Sequence, residues 1–524
     1  MSHLLAIDAG TGSCRAVLFS DDGRQLAGSL REWTHREPPG VPGGQDFDVD
    51  ANWRLIAACI RDALGQAGLT GADVAAVAAT SMREGIVLYD EAGKEIWACP
   101  NVDSRSAAEA SELIGEGAAE RIYAIGGDWV SITTPARLRW LARHRPDILG
   151  SARGLGMLSD WIATRLSGVR ATEPSCGSSS GMFALADRTW SAEIAAICGI
   201  DLSVLPPVAD PGTVTGTVTR QAAAETGLSE GTPVVAGGAD TQLGLLGCGA
   251  RPGEYTVVAG TFWQNTVLAT QPLIDPQTRL RTLCHVLPGQ WMVEGIGFYC
   301  GMSMRWFRDA FGQAEIARAA ERGVDPYVLL EELAAAVPPG SGGVLAIMSN
   351  LMNARNWTHA APSFLGFDLG DPAGSGRGAC VRAIEEAAAY VARGHRDILA
   401  ELTGTQFGEL VFTGGAAKGA LWPQIMADVT GLPVHVPAVK ESSALGAAIC
   451  AGTGAGVYGS LTDLEDALRV RSATFEPSAT ATAIYDERYA TWRQVYQRML
   501  EICDDGLLNP LWRAAGATRT TGGR

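Results

Sequence analysis

The sequence lacks any clustering of cysteine. Its eleven cysteines lie far apart, Cys284 and Cys300 being the nearest pair, and no CxxC or zinc-ligand spacing occurs. They read as small buried hydrophobes in a reducing compartment rather than a disulfide framework or a metal centre. Basic character is missing as well. The formal net charge is −16, with no long block of like charge, which argues against a nucleic-acid footprint and a basic membrane patch. No basic region followed by an apolar core opens the chain, so no secretory leader is read and the expected location is the cytoplasm. Ala444 to Thr462 is free of charge and nearly long enough to span a bilayer, but Gly446, Gly452, Gly454, Gly456 and Gly459 interrupt it; it reads as a packed helix and loop. With 47% hydrophobic and 19% charged residues the composition is that of a globular protein. A chain of 524 residues exceeds one core and suggests two domains or more. Small metabolites remain as the expected partners.

What is present begins at Asp8-Ala9-Gly10-Thr11-Gly12-Ser13-Cys14-Arg15, a polar glycine-bearing turn between two short apolar runs. Leu4 to Ile7 predicts one strand, and the alternation from Cys14 to Phe19 a second. Gly10 and Gly12 are expected to take torsions closed to other residues, so that amide N–H groups and the Thr11 and Ser13 hydroxyls converge on one anion. Asp8 would then hold Mg2+ through water, and Arg15 would add charge beside a phosphate. A dinucleotide or Walker loop opens a helix, whereas this turn runs into a second strand and, after Asp21-Asp22-Gly23, a third near Gln25 to Trp33. That order is the opening of an actin-like ATPase; an ordinary hairpin with a polar turn is the alternative.

Further along, Asp50 to Gln66 has helical periodicity, with Asp48 or Asp50 as cap. Val74 to Thr80 predicts a buried strand ending in Ser81-Met82-Arg83-Glu84-Gly85, the strand end at which α/β folds place ligands; the alternative for Arg83 and Glu84 is a surface ion pair. Helices are expected at Ala107 to Ile114, Thr134 to Arg143 and Leu158 to Leu166, whereas Glu173 to Gly181 shows no periodicity. A second apolar strand, Thr232 to Ala236, delivers Gly237-Gly238-Ala239-Asp240, followed by Thr241 and Gln242. Tyr255 to Ala259 then ends in Gly260-Thr261, echoing the opening turn and suggesting duplicated halves. Gly301 to Phe311, Tyr327 to Ala336 and Val381 to Arg393 read as helices. Leu410 to Thr413 reads as a strand ending in Gly414-Gly415-Ala416-Ala417-Lys418-Gly419, where a flat group could lie against backbone. Gly454-Ala455-Gly456-Val457-Tyr458-Gly459 matches GxGxxG but closes a helix, so it is set aside. The residues from Arg513 are expected to fray.

Asp8 to Arg15, Ser81 to Glu84, Gly237 to Asp240 and Gly414 to Gly419, in that order, resemble the FGGY carbohydrate kinases. The resemblance covers nearly the whole chain, to about Tyr458. It is strongest to the branch acting on the quorum-sensing signal autoinducer-2, through Ser81 to Tyr89, Asn101-Val102-Asp103, Gly260 to Gln264 and Met304 to Phe311. It implies an α/β fold of two actin-like (ribonuclease H-like) domains, 1–246 and 247–512, with a nucleotide cleft between them and a tail over 513–524. It implies ATP and Mg2+, with Asp240 as catalytic base and Asp8 and Asp240 on the metal side. Gly10, Thr11, Gly12, Ser13 and Arg15 would form a first phosphate loop and Gly260 and Thr261 a second, with Gly301, Gly414, Gly415 and Ala416 around adenosine. Arg83, Glu84, Asp240 and Gln242 would bind substrate. The implied substrate is open-chain 4,5-dihydroxypentane-2,3-dione, phosphorylated on its terminal hydroxyl, and the phosphocarrier protein of the sugar phosphotransferase system is an implied regulator. A common sugar or polyol (xylulose, erythritol, gluconate) is the alternative substrate, and a regulatory actin-fold ATPase a more distant reading. Gly419 stands where glycerol kinase has an adenine-side asparagine, which touches only the detail of adenine contact; the missing glycerol-kinase tyrosine near Ile132 and the degenerate second family signature over Ser363 to Ala388 weaken a glycerol assignment and fit a special substrate.

Overall fold

The computed structural model describes residues 2–517. Two large sheets organise it, one in each half of the chain. In the first, His3–Ala9, Ser13–Ser20 and Gln25–Glu32 follow one another antiparallel, Val74–Ser81 and Pro233–Ala239 lie parallel to the first strand, and Val214–Thr217 closes the edge. In the second, Tyr255–Ala259, Trp263–Ala269 and Trp291–Gly297 are antiparallel neighbours, and Leu410–Gly414 and Val434–Pro437 lie parallel on the other side. Arg281–Cys284 and Arg471–Phe475 form its edges. The same five-strand order and sense in both halves supports the expected duplication.

From Leu4 to Ile7 the first strand is apolar because both of its faces are covered. Leu5 and Ile7 pack with Trp53, Ile56 and Ile60 of the Val49–Ala67 helix. Leu4 and Ala6 pack with Ala444, Ala447 and Ala448 of the Ser442–Gly454 helix. Each large aliphatic side chain so buried contributes about 1.5–3 kcal/mol. Asp48 caps the Val49–Ala67 helix by accepting from the Ala51 amide, and Gly68, at φ 66°, ends it.

The Ser442–Gly454 helix thus belongs to the second half of the chain yet covers the first sheet. It crosses the Asp240–Gly247 helix at contact distance: a Cβ on Gly446 would sit 2.0 Å from the Leu243 carbonyl oxygen. The Ala444 to Thr462 region is therefore a packed helix and loop, and among the described residues no helix is long and apolar enough to cross a membrane. All eleven cysteines are free and ten are buried.

Three expectations change. Glu173 to Gly181 is not irregular: Pro174–Ser179 forms a short, wholly buried helix capped by Glu173. A six-residue helix is too short to show periodicity. The segment expected to fray from Arg513 is docked as far as Ala517. Trp512–Arg513 pairs with Thr358–His359, and Ala514 is buried beside Trp357; the rest of that segment lies outside the described residues. Neither Gly10 nor Gly12 takes a positive φ, and a Cβ on Gly10 would meet only the Ser13 carbonyl oxygen at 3.5 Å while one on Gly12 would meet nothing within 4 Å, so the turn does not depend on torsions closed to other residues.

Candidate active site

The opening turn is held by its carbonyls. Trp33 Nε1 donates to the carbonyls of Gly10 (3.1 Å) and Thr11 (3.2 Å), and His35 Nε2 lies 2.7 Å from the latter. The Asn101 amide donates to Thr11 Oγ1 at 3.0 Å. With its carbonyls tied back, the amides of Thr11 and Gly12 donate to no backbone carbonyl among the described residues, and neither do those of Gly260, Thr261 and Phe262 in the second turn. N–H groups without a backbone acceptor in a partly exposed turn suit an anion. Both turns sit where a strand passes to its antiparallel neighbour, at matching places in the two sheets.

The second turn is built with its neighbours. The Gly301 amide donates to the Thr261 carbonyl at 3.1 Å, and a Cβ on Gly301 would sit 2.0 Å from the Gly260 carbonyl oxygen. Gly414 pairs with Ala259 in the parallel ladder and takes φ 100° before the short turn Gly415–Lys418. Gly260, Thr261, Gly301, Gly414, Gly415 and Ala416 therefore share one end of the second sheet.

At the first sheet, Arg83, Glu84 and Asp240 follow the carboxyl ends of neighbouring parallel strands, which pair up to Ser81 and Ala239. Arg83 Nε lies 3.8 Å from Asp240 Oδ1, and its Nη1 donates to Glu294 at 2.8 Å. Arg281 donates through Nε to the same Glu294 oxygen (2.6 Å), and through Nη1 to Glu84 (2.7 Å) and Asp128 (3.2 Å). Four carboxyl groups thus share two guanidinium groups. Glu84 holds a positive φ of 61°, a strained conformation for a side chain of its size. The wholly buried Arg137 supports it, donating to the Glu84 carbonyl and to the carbonyls of Pro100, Asn101 and Asp103.

These surroundings set the titrations. Burial pushes the Asp240 carboxyl up to about 6 against the pull of Arg83, with repulsion from Asp8 adding to the rise. Its Oδ1 accepts from the Thr241 amide at 2.7 Å, and 35% of its side chain stays open. Burial also raises Asp8, although Arg15 Nε lies 3.1 Å away. Burial alone would raise Glu294, but Arg281 and Arg83 outweigh it and hold the group below the usual glutamate value. Asp128 is raised by burial in spite of Arg281.

Other expected residues stand apart from the charge chain. Arg15 is paired with Asp8 and Glu441. Gln242 is fully buried, its amide 3.4 Å from the Cys284 carbonyl and its Oε1 without a partner. Sequence reasoning missed Asp128, Arg137, Arg281 and Glu294. One signal for Glu294 was in view: a lone acid within the apolar run Trp291-Met292-Val293 to Ile296 needs a buried partner.

Residues 3–247 match the N-terminal domain of the FGGY family of carbohydrate kinases, and residues 256–455 its C-terminal domain. The chain is 46% identical over 523 residues to an autoinducer-2 kinase of Enterobacter sp. (strain 638), covering 99% of this chain and 98% of that protein. It is 46% identical over 518 residues to an autoinducer-2 kinase of Yersinia enterocolitica, covering 98% of each. The crystal structure of xylulose kinase from Rhodospirillum rubrum superposes with a TM-score of 0.81 at 27% identity, over 95% of this chain and 99% of that one. Two sheets of matching topology and two turns with unspent amides agree with these likenesses: the chain belongs to the FGGY family of carbohydrate kinases.

Proposed function

We propose that this carbohydrate kinase transfers the γ-phosphoryl group of ATP to the terminal hydroxyl of open-chain 4,5-dihydroxypentane-2,3-dione, giving phospho-autoinducer-2. Asp240 carries the reading. A carboxylate raised to about 6 at the end of a parallel strand is ionised at neutral pH yet more basic than an ordinary aspartate, as a general base requires. It takes the proton of the attacking hydroxyl as the new oxygen–phosphorus bond forms and the bond from the γ-phosphorus to the β,γ-bridging oxygen breaks, releasing ADP. Arg83 and Glu84 orient the substrate, and the amides of the Gly10–Ser13 and Gly260–Thr261 turns stabilise the charge of the phosphates. Gly301, Gly414, Gly415 and Ala416 would lie against adenosine, and Gln242, two residues beyond Asp240, would bind the substrate.

The donor set fits Mg2+. Asp8 and Asp240 offer carboxylate oxygens near enough to repel one another, and such hard oxygen ligands suit an ion that keeps several waters. Bound there, Mg2+ would neutralise phosphate charge. Closure of the 1–246 and 247–512 halves over the site would exclude water and limit idle hydrolysis of ATP. The identity to proteins named autoinducer-2 kinase supports this substrate, and the xylulose kinase likeness makes xylulose the competitor to test. The cytoplasm is the proposed location, and the phosphocarrier protein of the sugar phosphotransferase system a proposed regulator, both by resemblance to the family. Comparing acceptor alcohols under identical conditions tests the reading.

A further inference from the structure

We infer that Arg281 is a specificity-determining residue: together with Arg83 it covers the carboxylates of the substrate site and offers guanidinium N–H groups to the carbonyl oxygens of an open-chain oxo sugar. The inference rests on the reading of this site as the kinase centre for such a substrate.

The chemistry of the donors decides it. Glu84, Asp128 and Glu294 are buried and gather around Arg281, which lies 2.7, 3.2 and 2.6 Å from them in turn, and ionised carboxylates only accept hydrogen bonds. Left bare, they would select ligands rich in hydroxyl donors. A vicinal dione offers only acceptors at two adjacent carbons and would face them with its own hydrogen bonds unmade, an unfavourable burial. Arg281 reverses that demand. Its Nε and Nη1 are spent on the three carboxylates, and its Nη2 has no hydrogen-bond partner among the described residues. Arg83 is used in the same way: Nη1 binds Glu294, Nε faces Asp240, and Nη2 is likewise without a partner.

Because both guanidinium groups bond the same Glu294 oxygen, they adjoin, and Arg83 is the nearer to Asp240. A five-carbon chain with its terminal hydroxyl at Asp240 would run past Arg83 toward Arg281. Arg281 comes from the edge strand Arg281–Cys284 of the second sheet, whereas Arg83, Glu84 and Asp128 come from the first half. The residue that reads the far end of the substrate is thus supplied by the other half of the chain.

The test compares oxo and hydroxyl ligands on the full chain with Mg2+ and ATP. Arg281→Lys keeps the charge but loses the planar fork, a change that is not conservative at such a site. It is expected to lower kcat/KM for the dione about 10- to 100-fold, the worth of a hydrogen bond from a charged donor, mainly through KM. For xylitol, measured as substrate or as competitive inhibitor, the expected change is less than about threefold, so the preference shifts toward the alditol. Equal losses on both ligands would show that Arg281 only supports the fold and would overturn the inference. If Arg281→Lys shows no shift of Tm on adding ADP and is misfolded, Arg281→Gln with Asp128→Asn removes one charge of each sign and is put to the same comparison. A wild-type protein that prefers xylulose would refute the dione as substrate, and the pair xylulose and xylitol then tests Arg281 unchanged.

Discussion

Arg83 and Asp240 stand 3.8 Å apart, near enough for their charges to act on one another and too far for a hydrogen bond. Asp240 Oδ1 is occupied by the Thr241 amide, so the carboxylate keeps an oxygen for the substrate hydroxyl. Asp240→Asn is expected to lower kcat by ~10²–10⁴-fold or more, the scale of a lost general base. ADP should still bind, since the phosphate turns do not depend on this side chain. Steady-state kinetics with an ADP-binding control check it, and near-normal turnover would remove Asp240 from the mechanism.

The same carboxyl sets a pH dependence. A base must be ionised, and burial holds the Asp240 carboxyl up to about 6. Activity is therefore expected to be level above about pH 7 and to fall as pH drops through 6. The profile of kcat/KM at saturating ATP measures it; a rate undiminished at pH 5 would contradict the raised value.

Glu84→Ala should raise KM for the sugar-like substrate and leave KM for ATP little changed, because Glu84 meets Arg281 and the Arg137-held turn rather than either phosphate turn. Saturation curves for each substrate separate the two. An effect confined to ATP would misplace this residue.

The strand ends were legible in the sequence because the strands leading to them are buried and apolar while the turns are polar: Asp8, Arg83 with Glu84, Asp240 and Gly260-Thr261 all stand where periodicity put them. Arg281 and Glu294 were not. Their meaning comes from pairing across the two halves, which no local pattern encodes. The Ala479–Asp504 helix went unread, and the Trp512–Arg513 strand exists only through its pairing with Thr358–His359. In each case a tertiary partner supplies what the local sequence leaves open.

Gly301→Ala tests the second turn. The added Cβ would fall 2.0 Å from the Gly260 carbonyl oxygen, so backbone must shift, at about 1–3 kcal/mol in the manner of overpacking. KM for ATP should rise while KM for the acceptor alcohol changes less. Denaturant unfolding and ATP saturation curves check both parts, and an unaffected KM for ATP would separate Gly301 from nucleotide binding.

Asp160→Asn tests a buried carboxyl away from the reaction. Burial pushes Asp160 up to about 8, while it accepts from the Met157 amide at 2.9 Å. A carboxyl raised above its unfolded value favours the fold at low pH, and that contribution is lost as pH rises through the interval up to 8. Asparagine keeps an acceptor and carries no charge. The variant should have a higher Tm at pH 7 and a smaller fall in Tm between pH 5 and 8; an unchanged pH dependence of Tm would show that Asp160 is ionised without penalty.

ATP consumption by the purified protein with Mg2+ should be compared across 4,5-dihydroxypentane-2,3-dione, xylulose, glycerol, erythritol and gluconate, with the product identified by mass. A clear preference in kcat/KM for the dione, with one phosphate added to it, is the predicted result. A preference for xylulose or another common sugar would contradict it while leaving the Asp240 chemistry in place, and turnover that no acceptor raises above basal hydrolysis would contradict the kinase mechanism itself.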